Sequence, residues 1–562
     1  MMSSSVPYLT DIAILGSGAS GTHGLLKILS RISDNRASLL APVRITVIDR
    51  DRQFHSGLPY GHRSGRSSLL ISELRLFLPD CELSAFIAWL EQRREEMLRW
   101  AAEGSTPDSP LAEAMEIEWI LRHEDDIRDG RWERLYLPRR LYGQHLAELV
   151  TEAVETARDI AEVEFVHADI DEITHTDDGG VHLSEHDGPG RTRFEVHARS
   201  LLLAIGSPPV KELSVVADGR DAGPDSAVTK RVRLESGIIA DLHEPSLEHV
   251  IERTWARLDS LPKDQRDILL VGGNADALEF ILASHRLRRA TASRLHILCS
   301  RGRPHYWYHD RPGETASTPM LDRLLAAARA GEPLRALELS RTVKAELTAA
   351  MDNGNVNSTI SVLIGAVGSS LAYMDNYERC SMATEYGLII NDLLRRAGGD
   401  SLDLLVEGVE NGTIDFVPGR FREARITDNR VQVTVDPPAD SKPAVESSST
   451  VPAPHYAVVV NGMGFERVTD TRSALLRQML GSGVVRASAS RTGLVLDSSF
   501  RAASGIYVLG PLIAGHAHGT AAYWHIESVA RILSLAGQVA EKLVVDLLDR
   551  QTLKARVPVP AQ

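Results

Sequence analysis

Residues Asp11–Leu29 read DIAILGSGASGTHGLLKIL. The continuous apolar run Ile12–Leu15 suits a strand covered on both faces of a parallel sheet. Gly16, Gly18 and Gly21 follow at G-x-G-x-x-G spacing, ahead of apolar residues at helical intervals. In a dinucleotide fold the first glycine makes the tight turn, the second lets backbone approach a pyrophosphate, and the third packs helix on strand. Backbone N–H groups at the helix start then face the phosphates. The loop Gly16, Ser17, Gly18, Ala19, Ser20 and Gly21 is therefore expected to be a phosphate cradle rather than only a turn. The next strand, in RITVIDRD (residues 44–51), ends at Asp49, placed to accept ribose hydroxyls. The interval from Gly21 to Asp49 exceeds the usual ~20 residues, and SDNRASLLAP (33–42) reads as an insertion in the connection.

The pattern recurs in RDILLVGGNADALEFIL (266–282), with Gly272 and Gly273 in the turn and Asn274 where the middle glycine of the fingerprint would stand. Its following strand, RLHILCS (294–300), ends not in an acid but in Ser300-Arg301-Gly302-Arg303. An acid there would select a free ribose hydroxyl, whereas arginines pair with a 2′-phosphate, so Arg301 and Arg303 favour NADPH over NADH. The competing reading is a solvated loop that happens to hold two arginines.

Each glycine unit is followed by a second repeated feature. Residues 168–209 read as an antiparallel meander returning to a buried strand that ends at Gly206; residues 422–438 and HYAVVVNGMGFE (455–466) repeat that outline. Between them ADSKPAVESSSTVPAP (439–454) is Pro- and Ser-rich and reads as a loop. GIYVLGPLIAGHAHGTAAYWHIESVARILSLAG (505–537) then gives strand, glycine turn and long helix. The expected fold is α/β, with two Rossmann-like dinucleotide-binding domains, β-meander insertions and a helical insertion. The expected division is residues 1–235 for the first part of one nucleotide domain, 236–412 for the second domain with the helical insertion, and 413–562 for the return to the first.

A chain of 562 residues with 43% hydrophobic content is large enough for two or three cores. The 62 Lys and Arg against 76 Asp and Glu leave a charge of −14, and no basic block interleaves with aromatics, which argues against nucleic acid as a partner. No uninterrupted apolar window approaches the ~20 residues of a membrane span, and the start resembles no signal sequence. A soluble cytoplasmic protein is expected; oligomeric state is left open. Cys81, Cys299 and Cys380 stand far apart with no Cys-x-x-Cys pair, so neither a disulfide framework nor a zinc site is expected. HAHG (516–519) lacks a third ligand at metal spacing, and no metal is expected.

At these residues the chain resembles the flavoproteins that use FAD and NAD(P)H on two dinucleotide-binding domains. Within them it is similar to a bacterial FAD/NAD(P)-binding family related to the class B and N-hydroxylating flavin monooxygenases. The stretches that carry the resemblance are the first glycine loop, GLPYG (57–61), LLISELRLFLPD (69–80) followed by FIAWL (86–90), LPRRLYGQHL (137–146), LLLAIGSPP (201–209), LLVGGNADALEF (269–280) and IYVLGPLIAGHAHGTAAYW (506–524). Residues 311–412 match nothing in that set. The resemblance implies that Gly16, Gly18, Gly21 and Asp49 hold the adenosine diphosphate of FAD. It also implies that Gly206 lies at a crossing between domains and that Gly510 with Pro511 brings a helix start towards the flavin. Asn274, and Gly-Pro rather than Gly-Asp at 510 and 511, depart from the family pattern.

A flavin carries the electron chemistry while the protein orients and shields it, so no nucleophile–base triad need be visible and no catalytic residue is singled out. In the resembling monooxygenases NADPH is the reductant and one atom of O₂ enters a small substrate. Arg63, Arg66 and Arg75, with Arg139, Arg140 and Tyr142, form a cluster whose guanidinium forks suit carboxylates. They are candidate substrate contacts for a small acidic amino acid, aspartate being the speculative choice; salt bridges within the chain are the commoner fate of such arginines. HYWYHD (305–310) reads either as core or as a nicotinamide contact. The leading expectation is N-hydroxylation by an FAD- and NADPH-dependent monooxygenase. A flavin reductase or dehydrogenase without oxygen insertion, and a non-catalytic nucleotide-binding protein, are the rivals.

Overall fold

The computed structural model describes residues 8–104, 111–188, 191–216, 237–291, 293–300, 310–311, 315–395, 398–427, 430–438, 454–526 and 528–556. In chain order its strands are β1 (Tyr8–Leu15), β2 (Val43–Asp49), β3 (Ala161–His167), β4 (Glu172–His175), β5 (Val181–His186), β6 (Thr192–Leu203), β7 (Val215–Val216), β8 (Ile238–Ile239), β9 (Ile268–Val271), β10 (Leu295–Cys299), β11 (Ile414–Pro418), β12 (Arg420–Thr427), β13 (Arg430–Asp436), β14 (His455–Tyr456), β15 (Val458–Asn461), β16 (Arg501–Ala503), β17 (Ile506–Val508), β18 (His516–His518) and β19 (Ala521–Tyr523).

The first sheet runs β16-β17-β6-β1-β2-β3, with β4 and β5 attached beside β6. Residues Ile12, Ala13 and Ile14 of β1 are wholly buried, because β1 is paired in parallel on both sides, with β2 (Ile14↔Val47) and with β6 (Leu15↔Leu203). Strand β6 is long enough to change partners along its other edge. Its first half pairs antiparallel with β5 (Val196↔Leu183), and its last residues pair in parallel with β17 (Leu203↔Val508). The expected meander over 168–209 is therefore present. Helices Ala19–Asp34 and Val529–Arg556 cover this sheet and pack on one another.

The second sheet runs β11-β10-β9-β15-β8 and is parallel throughout. Strands β9 and β15 are buried at every residue, as central strands covered on both faces must be. A four-stranded sheet, β14-β13-β12-β7, supplies the second meander.

This topology corrects one expectation. The chain does not return to the first nucleotide unit at residue 413, because β11 and β15 are strands of the second sheet. The first core is rejoined from Val468 onward, through Leu475, Met479 and Leu494, and its sheet is completed by β16 and β17.

Two helical bodies complete the fold. Helices Asp80–Glu103, Leu111–Arg122 and Arg139–Ala157 pack around Phe86, Trp132, Leu137 and Leu146. The expected helical insertion contains Pro319–Arg329, Ala336–Asn353, Val356–Ser370 and Gly387–Leu393, with Leu339, Val343, Ile360, Leu363 and Met382 at its centre. Carboxylates hold the helix starts of the insertion, whose N–H groups lack intrahelical acceptors. Glu346 Oε1 accepts from Met320 N (2.6 Å) and Leu321 N (2.8 Å), and Asp310 accepts from Asn357 N (2.7 Å) and Ser358 N (2.8 Å). One segment, Val356–Tyr373, is long and apolar enough to cross a membrane, yet Val356, Ile360, Leu363 and Val367 are buried in the insertion's own core.

Candidate functional site

The first glycine loop assigns three different tasks to its three glycines. Gly16 has φ +96°, and a Cβ there would lie 2.4 Å from Ala204 O; at Gly21 a Cβ would lie 1.8 Å from Gly16 O. Both positions exclude a side chain by contact with the chain's own backbone. At Gly18 the nearest atom to such a Cβ is Gly57 Cα at 3.5 Å, an ordinary contact. The fold therefore does not itself demand glycine at 18. Gly18 is also the N-cap of the helix Ala19–Asp34, which has no capping side chain and no acid in its first turn. Its initial N–H groups suit an anion. These features fit the pyrophosphate of a dinucleotide.

Asp49 ends β2 beside the first loop. Its Oδ2 accepts from Ser17 N (2.5 Å) and Ser17 Oγ (3.0 Å), and its Oδ1 accepts from Asp51 N (2.8 Å). A carboxylate has about four acceptor sites, so these bonds fix its orientation and leave capacity for a ribose hydroxyl. Gly510, with φ +99°, packs so closely on the same helix start that a Cβ on it would lie 2.4 Å from Ser20 Oγ. The turn Pro511–Ile513 is thereby brought to the first loop. Gly206 has φ +79°, with open space where its side chain would be.

Two neighbours of this loop were not singled out from the sequence. Gly57, with φ +59°, lies over Gly18; it lies in GLPYG, but only the fold shows what it touches. His55 has φ +76°, and its backbone N–H donates to Ser17 Oγ at 3.4 Å. Its ring meets Phe165 edge-on, with centroids 5.0 Å apart. Burial pushes its pKa down to about 4, against the pull of Asp49, and its Nδ1 is buried with no hydrogen-bond partner among the described residues. No local sequence signal marks it.

The second glycine loop follows β9. Gly272 has φ +107°, and a Cβ there would lie 2.1 Å from Gly462 O, so this glycine performs the turning task of Gly16. Gly273 precedes Asn274, whose Oδ1 accepts from Ala277 N at 3.3 Å and caps the helix Ala275–Thr291. Arg301 and Arg303 lie outside the described residues, as do the first five residues of HYWYHD; its last, Asp310, is a helix cap.

The expected arginine cluster does not converge on one substrate pocket. Arg63 Nε donates to His243 O at 3.0 Å and Arg139 Nε to Leu69 O at 2.7 Å. Arg139 also pairs with Glu279, while Arg66 and Arg140 both face Glu116, which is 2% exposed. Arg75 pairs with Glu73 at the surface. Tyr142 is buried with its hydroxyl 2.9 Å from His23 Nε2. Guanidiniums as buried as those of Arg139 and Arg140 need partners at hand, and both have them within the chain. An open cavity near Arg66 is lined by Glu116, Trp119, Arg122, His285 and Asp400, and by no residue of either glycine loop.

His516 and His518 stack with centroids 6.3 Å apart on β18, and the β18–β19 hairpin packs on the insertion through Ala522 and Trp524. The three cysteines are free thiols; Cys299 is buried, which pushes its pKa up to about 12.

Residues 13–208 match the family model described as FAD-NAD(P)-binding. The match contains the first loop, Asp49 and Gly206, and identifies this region as an FAD/NAD(P)-binding one. The structure as a whole is similar to the reduced form of an ornithine hydroxylase from Pseudomonas aeruginosa, with a TM-score of 0.51 at 12% identity, covering 96% of this chain and 100% of that one. The fold is thus the Rossmann-like fold shared with flavin monooxygenases. Among curated proteins, uncharacterized proteins of Mycobacterium tuberculosis and Mycobacterium bovis are each 29% identical, over 97% of this chain and 97% of theirs.

Proposed function

We propose that the protein is an FAD-dependent oxidoreductase that takes hydride from NADPH and places one oxygen atom of O₂ in a small amine, most simply by N-hydroxylation. The observation that carries the reading is the position of Gly18, at a helix start with no capping side chain and no acid in its first turn, while Gly510 brings a second turn against Ser20. Bound FAD supplies hydride acceptance and oxygen activation. The chain's own contribution is positional. Gly16 and Gly21 set the loop, Gly18 and the helix N–H groups hold the diphosphate, and Asp49, oriented by Ser17, holds the ribose. The loop at Gly272 and Gly273, with Arg301 and Arg303 after β10, is assigned to NADPH. Fold similarity to an ornithine hydroxylase supports an amine substrate, and we assign the enzyme to the cytoplasm. An acidic amino acid loses its support, since the arginines that suggested it are engaged with Glu73, Glu116, Asp241 and Glu279.

The test is NADPH oxidation by the flavin-loaded protein in labelled O₂ with candidate diamines and amino acids. A monooxygenase places one labelled oxygen in the product and releases less peroxide when its substrate is present. Substrate turnover without O₂ would replace this reading with a reductase, and a colourless protein that binds no flavin would remove both.

A further inference from the structure

Two residues at the second glycine loop and the helix start after it work against a bound pyrophosphate. The Asn274 side chain occupies one helix-start donor, Ala277 N, and Asp276 places a negative charge in the first turn, where a phosphate would meet it. The structure supplies a counterweight. His243, 5% exposed, has its Nε2 3.8 Å from Asp276 Oδ1 and 3.7 Å from Glu279 Oε2. Asn274 Nδ2 donates to the other oxygen of Asp276 at 3.3 Å. Glu279 leads on to the first nucleotide unit, where Arg139 pairs with it and Ser68 Oγ donates to it at 3.2 Å.

The charged groups facing His243 come from every element around it. Asp276 and Glu279 lie on the helix Ala275–Thr291. Asp241 lies on its own segment, with Oδ1 accepting from His243 N at 2.8 Å. Arg63 lies on the turn His62–Ser64, 4.0 Å from Asp241, and Arg139 is reached through Glu279. Three carboxylates thus face two guanidiniums, and a protonated His243 makes the cluster neutral. A neutral imidazole leaves one uncompensated negative charge beneath the loop.

We propose that His243 is a positioning residue for the nicotinamide dinucleotide, its imidazolium cancelling the charge of Asp276 at the helix start and tying the second glycine loop to Arg139 of the first domain. The proposal rests on the assignment of Gly272 and Gly273 to NADPH. Burial alone would lower the pKa of His243, but Asp276, Glu279 and Asp241 outweigh it and hold it above the ordinary 6.5. The imidazolium is therefore present below the ordinary value and lost as pH rises through the raised one, and nucleotide affinity falls with it.

The experiment is equilibrium titration of flavin-loaded protein with NADP⁺ from pH 6 to pH 9, followed by calorimetry, for the wild type, His243→Gln, Asp276→Asn and the double variant. The ligand's 2′-phosphate also titrates, so the quantity read is the ratio of dissociation constants between variant and wild type, in which that contribution cancels. For His243→Gln the ratio is expected to be on the order of tenfold at pH 6, as for a unit charge within ~10 Å at an effective dielectric constant of ~20, and to fall towards one as pH rises through the raised pKa of His243. Asp276→Asn, with His243 intact, is expected to weaken the pH dependence, and the double variant to regain wild-type affinity with flavin occupancy unchanged. A ratio of one at every pH, or a uniform loss that Asp276→Asn fails to rescue, overturns the role of His243 while leaving the loop assignment standing. Wild-type protein that binds flavin but no NADP⁺ overturns the loop assignment and the role together.

Discussion

Gly18 and Gly57 meet backbone to backbone: a Cβ added to Gly18 would lie 3.5 Å from Gly57 Cα. That contact is tolerable, whereas the 1.8 Å between a Cβ on Gly21 and Gly16 O is not. The two glycines should separate cofactor binding from folding. Gly18→Ala is expected to retain the fold but lose flavin affinity by about tenfold or more, roughly 1.4 kcal/mol, and Gly18→Leu to lose more. Gly21→Ala is expected to cost about 1–3 kcal/mol of stability through overpacking. Flavin absorbance per protein and thermal unfolding check both; full flavin occupancy in Gly18→Leu would sink the assignment of the first loop.

Gly57 is constrained in the opposite sense. Its φ of +59° and a Cβ position 2.7 Å from Gly18 Cα make alanine strained twice over. Gly57→Ala is expected to cost roughly 1–2 kcal/mol and to displace the segment lying over the first loop, so flavin occupancy should fall together with the melting temperature. A normal melting temperature with normal occupancy would show that this segment does not cover the cofactor.

The parts of this arrangement that a reader of the sequence can find are those fixed by local backbone chemistry. Gly16 and Gly272 are legible because the turn after a buried strand needs positive φ, and both have it. The meanders are legible because alternation along β5 and β13 has period two. What is not legible is pairing at long range. Val458, Val459 and Val460 are apolar and buried, and nothing in three such residues says that they pair with β9 rather than β1. The arginines illustrate the same limit. Arg139 and Arg140 are neighbours in sequence, yet Arg139 pairs with Glu279 and Arg140 with Glu116, acids whose proximity is created only when the helical bodies and the second sheet pack. His55 was equally hidden, since neither its left-handed backbone nor its buried Nδ1 has a sequence signature.

The Arg139–Glu279 pair joins the helix Arg139–Ala157 to the helix after the second glycine loop, with side chains only 12% and 6% exposed. Removing one partner strands the other charge, so Glu279→Ala is expected to cost about 3–5 kcal/mol. Arg139→Leu combined with Glu279→Leu should recover much of that loss. Urea unfolding of the single and double variants measures the coupling, and strictly additive losses would show that the pair contributes nothing as a pair.

Arg301 and Arg303 carry the cofactor preference read from the sequence. If they hold the 2′-phosphate, Arg301→Ala and Arg303→Ala should each weaken NADPH by about 1.5–3 kcal/mol while leaving NADH little changed. Steady-state kinetics with both nucleotides decide it; equal losses for the two would place the arginines elsewhere.

His23 sits on the helix of the first glycine loop, 4% exposed, with its Nε2 2.9 Å from the Tyr142 hydroxyl. Burial, with smaller contributions from Lys27 and His145, pushes its pKa down from 6.5 to about 3. The sign of the stability effect follows from which state takes the proton. Above pH 6.5 neither state protonates this ring, and the folded protein has its full stability. Between pH 6.5 and about 3 the unfolded chain binds a proton that the folded one refuses, so stability falls by up to about 1.4 kcal/mol per pH unit from this group alone. His23→Gln keeps a polar partner for Tyr142 and removes the titration. The variant is expected to be less stable than wild type at pH 7.5 by about 1–2 kcal/mol, to draw level near pH 5.5, and to be the more stable of the two below pH 5. Urea unfolding at pH 7.5, 6.5, 5.5 and 4.5, at equal flavin loading, measures the crossing. A stability difference that stays constant over that range would mean that His23 takes up its proton at the same pH in the folded protein as in the unfolded chain, so that burial does not hold it neutral.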